Sequence, residues 1–213
     1  MQIFHFPHPA LRFKSVDIQR IDPTLRKTID TMFELMYEAK GIGLAANQVG
    51  LPFRFFIVNL AARPDEKDEE HVFINPVIRK RKGTEQGEEG CLSLPNLFAD
   101  VKRSEEVIIE AFDLQGQGFA MELDDLAARV VQHELDHLDG VMFTDKLAEQ
   151  EAEDRVAEAL QQFDDSYRGL QSEELMRSDE ALLADLRKMA DHGGVTAEFL
   201  ERPKIELRPP VIS

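Results

Sequence analysis

Two histidines four residues apart constrain this chain more than any other feature. In Gln132-His133-Glu134-Leu135-Asp136-His137-Leu138 the i,i+4 spacing sets both imidazoles on one helix face, with Cβ atoms roughly 5–6 Å apart. One metal ion can be gripped by such a pair. Glu134 follows His133 directly, about 100° further round a helix of 3.6 residues per turn, so it can lean over the ion without ligating it. His-Glu-x-x-His on a helix is a hydrolytic pattern with the glutamate as general base. Leu126, Val130, His133 and His137 recur on one face, which places the histidines in line with the core.

A tetrahedral catalytic site takes three protein ligands and leaves a fourth position open. Beyond Gly140 the one histidine is His192, beside two glycines. Upstream stands Cys91, the single cysteine of the chain, in Gly87-Glu88-Glu89-Gly90-Cys91-Leu92-Ser93-Leu94-Pro95. A lone cysteine serves as a small buried hydrophobe, a nucleophile or a metal ligand. It forms no internal disulfide, which suits a reducing compartment. Soft sulfur with two imidazoles suits zinc or ferrous iron. A third stretch, Gly41-Ile42-Gly43-Leu44-Ala45-Ala46-Asn47-Gln48-Val49-Gly50, lacks the third glycine of a dinucleotide fingerprint. Its small residues speak for close backbone approach, and Gln48 offers an amide that both donates and accepts.

The remaining sequence supplies a frame for these stretches. The 213 residues suffice for one domain with an appendage. A net charge of −16, spread over both parts of the chain, disfavours binding to phosphate backbones through bulk electrostatics. No apolar run nears the ~20 residues of a membrane span. The N-terminus has no basic region followed by an apolar stretch, so the expected compartment is the cytoplasm.

Residues 1–20 read as extended. Asp22 and Pro23 open a helix with the apolar stripe Leu25, Ile29, Met32, Phe33 and Met36, closed by Gly41. A mostly buried strand is expected at 53–60, a charged loop at 61–70, and a second strand at 72–78, with Pro76 marking an edge or a bend. The basic quartet Arg79–Lys82 reads as a solvated face near a turn. Residues 101–112 and 119–123 read as strands. The helix bearing the histidines starts at Asp124 or Asp125 and ends at Gly140. Residues 146–191 read as helix divided at Gly169, and 208–213 as extended or loose.

Three of these stretches together resemble peptide deformylases. Gly-φ-Gly-φ-Ala-Ala-x-Gln (φ apolar) stands at Gly41–Gln48, Glu-Gly-Cys-Leu-Ser at Glu89–Ser93, and Gln-His-Glu-x-Asp-His-Leu-x-Gly at Gln132–Gly140. A Pro-x-x-x-Leu-Arg run at Pro7–Arg12 adds to the match, which covers roughly residues 1–165. The resemblance implies an α+β fold, with antiparallel sheets packed around the central His-Glu-x-x-His helix, an N-terminal helix and a C-terminal helical extension. Residues 1–168 would form the catalytic domain and 169–213 an acidic extension and loose tail.

By that resemblance the chain removes formate from the formyl-methionine that begins nascent polypeptides. Cys91, His133 and His137 match the metal ligands, with Fe²⁺ expected and Zn²⁺, Ni²⁺ or Co²⁺ suited to the same donors. Metal-bound hydroxide attacks the formyl carbon, Glu134 acts as general base and then acid, and Gln48 and the backbone N–H of Leu92 match the oxyanion donors. Ile42, Gly43, Gly90, Leu126 and Val130 match the substrate-binding positions. Asp136 and Arg103 match a supporting pair, and Glu89 is expected to order its turn by local hydrogen bonds. Arg129 stands where many relatives carry an apolar pocket wall, and Phe98 where some carry an arginine. The acidic C-terminus lacks the basic helix by which many bacterial relatives dock on ribosomal RNA. A monomer is expected, with no membrane partner, in a bacterial cytoplasm or an organelle. The competing readings are a zincin-like endopeptidase, which would need a third ligand downstream, and a catalytically silent binder of formylated N-termini.

Overall fold

The computed structural model describes residues 1–148, 150–201, 203–207 and 209–210. Asp22 accepts from the Leu25 N–H at 2.9 Å and Pro23 takes the first helical position of α1 (Pro23–Glu38), as these residues dictate. The left-handed residue behind this helix is Lys40, with φ 58°, rather than Gly41. Gly41 is small for a different reason: a Cβ there would meet Leu92 Cδ1 at 2.6 Å. The opening segment is extended apart from a short 3₁₀ turn at Pro9–Arg12.

Strands follow at β1 (Gly43–Ala45), β2 (Phe55–Val58), β3 (His71–Lys82), β4 (Glu85–Cys91), β5 (Leu94–Arg103), β6 (Glu106–Phe112) and β7 (Gly118–Asp124). Five of them form an antiparallel sheet in the order β1-β2-β3-β6-β7, and β4 with β5 forms a separate hairpin. β2 is buried on both faces: Phe55 and Ile57 meet the α1 stripe, while Phe56 and Val58 meet α2 (Asp125–Leu138). A strand covered on both sides shows no alternation, which is why its sequence is one apolar run.

β3 is longer than its sequence suggests and lies between β2 and β6, so Pro76 is in a central strand and not at an edge. A register shift between Ile74 and Val77 and a positive φ of 50° at Asn75 accommodate the missing N–H. The basic quartet thereby continues the strand, and Arg79 and Lys82 pair with Glu110 and Glu106 at 2.8 and 2.7 Å. The stretch 101–112, expected as one strand, is two. The Gln132 amide accepts from the Ser104 N–H at 3.1 Å and donates to the Ser104 carbonyl at 2.9 Å. That bracket turns the chain out of the hairpin and into the larger sheet.

α2 packs Ala128, Val131, Leu135 and Leu138 against the inner face of the five-stranded sheet. Asp124 holds its N-cap position without a side-chain capping bond. Gly140, at φ 75°, ends it as expected; a Cβ there would lie 2.6 Å from the Arg12 carbonyl oxygen.

Beyond Asp145 the chain forms α3 (Gln150–Ser172), α4 (Asp179–His192) and the short α5 (Ala197–Leu200). The division between α3 and α4 falls at 173–178, where Ser178 caps α4, and not at Gly169, which lies inside α3. The boundary expected between residues 168 and 169 therefore falls within a continuous helix. Val156, Ala159 and Phe163 pack on Leu94, Leu97, Ala99 and Val101 of β5. Met189, Val195 and Phe199 join the α1 core. The extension is docked, because its helices carry apolar faces under their acidic surface. Residue 208 and residues 211–213, expected to be loose, lie outside the described residues. The fold is α+β, and no helix among the described residues is long and apolar enough to cross a membrane.

Candidate metal centre and active site

His133 and His137 stand on successive turns of α2, and Cys91 is the last residue of β4. His137 Nε2 lies 3.2 Å from both Cys91 Sγ and His133 Nε2, and the three donor atoms all fall within 4.8 Å of one another. Donors around a tetrahedral ion sit about 3.3–3.6 Å apart, given metal–nitrogen and metal–sulfur bonds of about 2.0 and 2.3 Å. The His133 Nδ1–H donates to Glu89 Oε2 at 2.9 Å, which leaves Nε2 turned toward the sulfur. A carboxylate on the far nitrogen is how ligating histidines are commonly oriented.

The electrostatics ask for a cation at this point. Burial opposes charge on His133, yet the Cys91 sulfur and Glu89 outweigh it and raise His133 to about 10. Burial lowers His137 well below its ordinary value, helped by the positive charge of His133 and Arg103, so of the two imidazoles His133 holds the proton, which a bound ion would displace. Burial likewise pushes Glu134 up to about 7, with Glu89 adding to the shift and His133 opposing it. Glu134 Oε2 is buried with no hydrogen-bond partner. Its other oxygen explains a glycine: a Cβ on Gly43 would come within 2.5 Å of Glu134 Oε1. The donor set and the unpartnered carboxylate oxygen both fit a divalent cation.

Around this cluster opens a cleft of about 890 Å³. Ile42, Gly43, Gln48, Gly90, Cys91, Leu92, Leu126, Val130, His133 and Glu134 all line it, so the residues expected to bind substrate are gathered in one place. Leu126, expected on the histidines' face as a pocket residue, lines the cleft and is half exposed. Gln48 accepts from the Ala45 N–H at 2.8 Å and donates to Ser93 Oγ and Cys91 Sγ at 3.2 and 3.5 Å. The first strand-like residues tie these loops together, because the Phe4 N–H donates to the Gln48 carbonyl and the Phe6 N–H to that of Ser93.

Behind the ligands lies a chain of buried charge. Arg103 forks onto both oxygens of Glu89 at 2.8 Å and pairs with Asp136, as the resemblance implies. Glu89 does more than order its own turn. Besides Arg103 it binds His133 and, at 2.9 Å, Arg129 Nη1, so its contacts reach across to α2. Burial would raise Glu89, but the Arg103 and His133 hydrogen bonds hold it well below the usual carboxylate range. The role of Arg129 was missed from sequence. Its position one helical turn before His133 is the signal that could have revealed it, since i and i+4 residues share a face. Phe98 is half exposed at the cleft, its ring where a Cβ on Gly90 would collide at 2.5 Å.

Residues 1–153 match the sequence profile of the polypeptide deformylases. The chain belongs to that family. A peptide deformylase of Rhodopirellula baltica is 46% identical over 187 residues, which span 88% of this chain and 92% of that protein. Among solved structures, a peptide deformylase from Plasmodium falciparum superposes with a TM-score of 0.75 at 33% identity, covering 80% of this chain and 98% of the other. Peptide deformylase 1B of Arabidopsis thaliana superposes with a TM-score of 0.74 at 38% identity, covering 81% and 93%. A deformylase is a metal-dependent amide hydrolase that removes the N-formyl group from nascent polypeptides, and this chain has that activity.

Proposed function

We propose that Cys91, His133 and His137 hold the cation, with Fe²⁺ the expected ion and Zn²⁺, Ni²⁺ or Co²⁺ alternatives, and that Glu134 moves the proton. The observation that carries this reading is the convergence of three donor atoms within 4.8 Å beside a buried, unpartnered carboxylate oxygen. When bound, the cation would supply Lewis acidity and lower the pKa of water towards neutrality.

Glu134, held near 7 by burial, takes a proton from the attacking water and returns it to the departing amine; a group with a pKa near the working pH does both. Gln48 Nε2 makes only long bonds to Sγ and Ser93 Oγ, so it is free to turn to the oxygen that gains charge at the formyl carbon. The Leu92 N–H completes the oxyanion site; losing one such donor costs about 10²–10³ in rate. The methionine side chain sits among Ile42, Leu126, Val130 and the body of His133. Gly43, on the edge strand β1, and Gly90, on β4, present backbone to the peptide as an added strand. Residues 1–168 carry all of these groups; beyond them Met189, Val195 and Phe199 pack in the α1 core. A zincin-like reading lacks its downstream ligand, since Cys91, His133 and His137 are the one such cluster among the described residues. We assign the protein to a monomeric state in a bacterial cytoplasm or organelle; its relatives include a chloroplastic deformylase 1B of tomato, 42% identical over 78% of this chain.

The test is formate release from formyl-Met-Ala-Ser under anaerobic conditions. Wild type loaded with Fe²⁺ releases formate, and Glu134→Ala loses about 10²–10⁴ in kcat. No formate from the loaded wild type overturns the reading. Cys91→Ser should weaken metal binding; unchanged metal content would remove Cys91 from the ligand set.

A further inference from the structure

Arg129 projects from α2 one turn before His133, on the same face, and is nearly buried, its side chain 11% exposed. It lines the cleft, and both terminal nitrogens of its guanidinium are bonded to the hairpin. Nη1 donates to Glu89 Oε1 at 2.9 Å, to the Val101 carbonyl at 3.0 Å and to the Gly87 carbonyl at 3.3 Å. Nη2 donates to the Glu85 carbonyl at 3.3 Å. One side chain of the helix that bears two ligands thus grips both strands of the hairpin that bears the third. It also grips the carboxylate that orients His133.

Gly87 shows that this seat is built into the sequence. A Cβ at that position would stand 2.9 Å from Arg129 Nη2 and 3.1 Å from Cζ, so β4 gives up a side chain where the guanidinium lies. Glu89 has two oxygens and receives four donors: Nε and Nη2 of Arg103, Nη1 of Arg129 and Nδ1 of His133. Without Arg129 the carboxylate keeps its fork to Arg103 and its bond to His133 but loses its other direct tie to α2, on Oε1.

We infer that Arg129 is a positioning residue for the metal centre, acting through Glu89 and the β4–β5 hairpin to fix the spacing between Cys91 and His133. The inference rests on the assignment of Cys91, His133 and His137 as ligands. It also gives a physical reason for a cation at a position in the pocket wall: both terminal nitrogens are engaged by Glu89 and the hairpin carbonyls.

The test titrates metal-stripped full-length protein with Co²⁺ alone, following the sulfur-to-cobalt and ligand-field absorption, and measures kcat and KM for formyl-Met-Ala-Ser separately. Arg129→Ala should weaken Co²⁺ binding about 10–100-fold, shift the ligand-field bands and lower kcat more than it raises KM. Arg129→Lys, which restores the charge beside Glu89 but not the fork to the hairpin carbonyls, should fall between. Gly87→Ala, which displaces the guanidinium without deleting it, should change the same readouts in the same direction and decides the case if Arg129→Ala does not fold. Variants with wild-type Co²⁺ affinity and spectrum, altered only in their preference among formylated side chains, would reduce Arg129 to a pocket wall and overturn the inference. Failure of the wild type itself to give a sulfur-to-cobalt band would instead overturn the ligand assignment on which it rests.

Discussion

Glu89 and Asp179 are two carboxylates with nearly the same company and opposite surroundings. Glu89 collects an arginine fork, a second arginine and a histidine, and its side chain is 4% exposed. Asp179, at the start of α4, accepts from Arg168 at 2.7 Å, the Tyr167 hydroxyl at 2.8 Å and Gln171 at 2.9 Å, with its side chain 36% exposed. In both, burial pushes the pKa up and the donors win, holding it down. Water makes the difference. At Asp179 solvent can replace any donor that leaves, so the cluster holds a corner together at little consequence. At Glu89 every donor is obligatory, because a buried charge without partners is costly, and that necessity fixes the His133 ring.

The sharpest way to break this comparison is Glu89→Ala. It leaves the buried Arg103 with Asp136 alone and takes the carboxylate from Arg129 and His133, so a loss of about 3–5 kcal/mol is expected in urea unfolding of the metal-free protein; a loss under about 1 kcal/mol would put Glu89 in the same class as Asp179. Next comes Asp136→Asn, which leaves Arg103 a neutral acceptor in place of a charged one and should cost about 1.5–3 kcal/mol by the same measurement. A double-mutant cycle between Arg168 and Asp179 should return only about 0.2–1 kcal/mol, and a larger coupling would erase the contrast from the other side. The smallest effect is in pH. Asp179 has a folded pKa below its unfolded one, so its contribution is fully present above about pH 4 and is lost as pH falls through the lower folded value. Melting temperature followed from pH 5 to pH 2.5 should therefore decline slightly less steeply in Asp179→Asn than in wild type.

What could be read from the sequence follows the same line between local and distant causes. Helix ends and ligand spacing are local: Asp22, Pro23 and Gly140 act within a turn of their own position, and His133 and His137 share a face by arithmetic. Glu89 also looked local, sitting between glycines, but its partners come from β5 and α2, and no spacing rule reaches that far. The strand break at Ser104 is set by Gln132 from another element, so β-branched content carried the reading straight through it. Pro76 suggested an edge or a bend, and nothing nearby tells which; the register shift beside it lets a central strand hold it. Gly169 suggested a helix end, yet nothing lies within 4 Å of a Cβ there; it is a solvent-facing residue of α3 whose cost to the helix, about 1 kcal/mol, is met by packing on the other side.

The opening residues of the chain carry a consequence for the order in which the enzyme can be made. Phe4 and Phe6 hold the carbonyls of Gln48 and Ser93, and His8 rests edge-on against Tyr167 of α3. Residues 4–8 thus have partners that are synthesised much later. Phe4 stays unpaired until Gln48 is made, Phe6 until Ser93 and His8 until Tyr167, so the loops bearing Gln48 and Cys91 are braced in sequence and not at once. An enzyme that trims new chains at their first residue thus has its own site braced by residues that meet partners as far along as Tyr167.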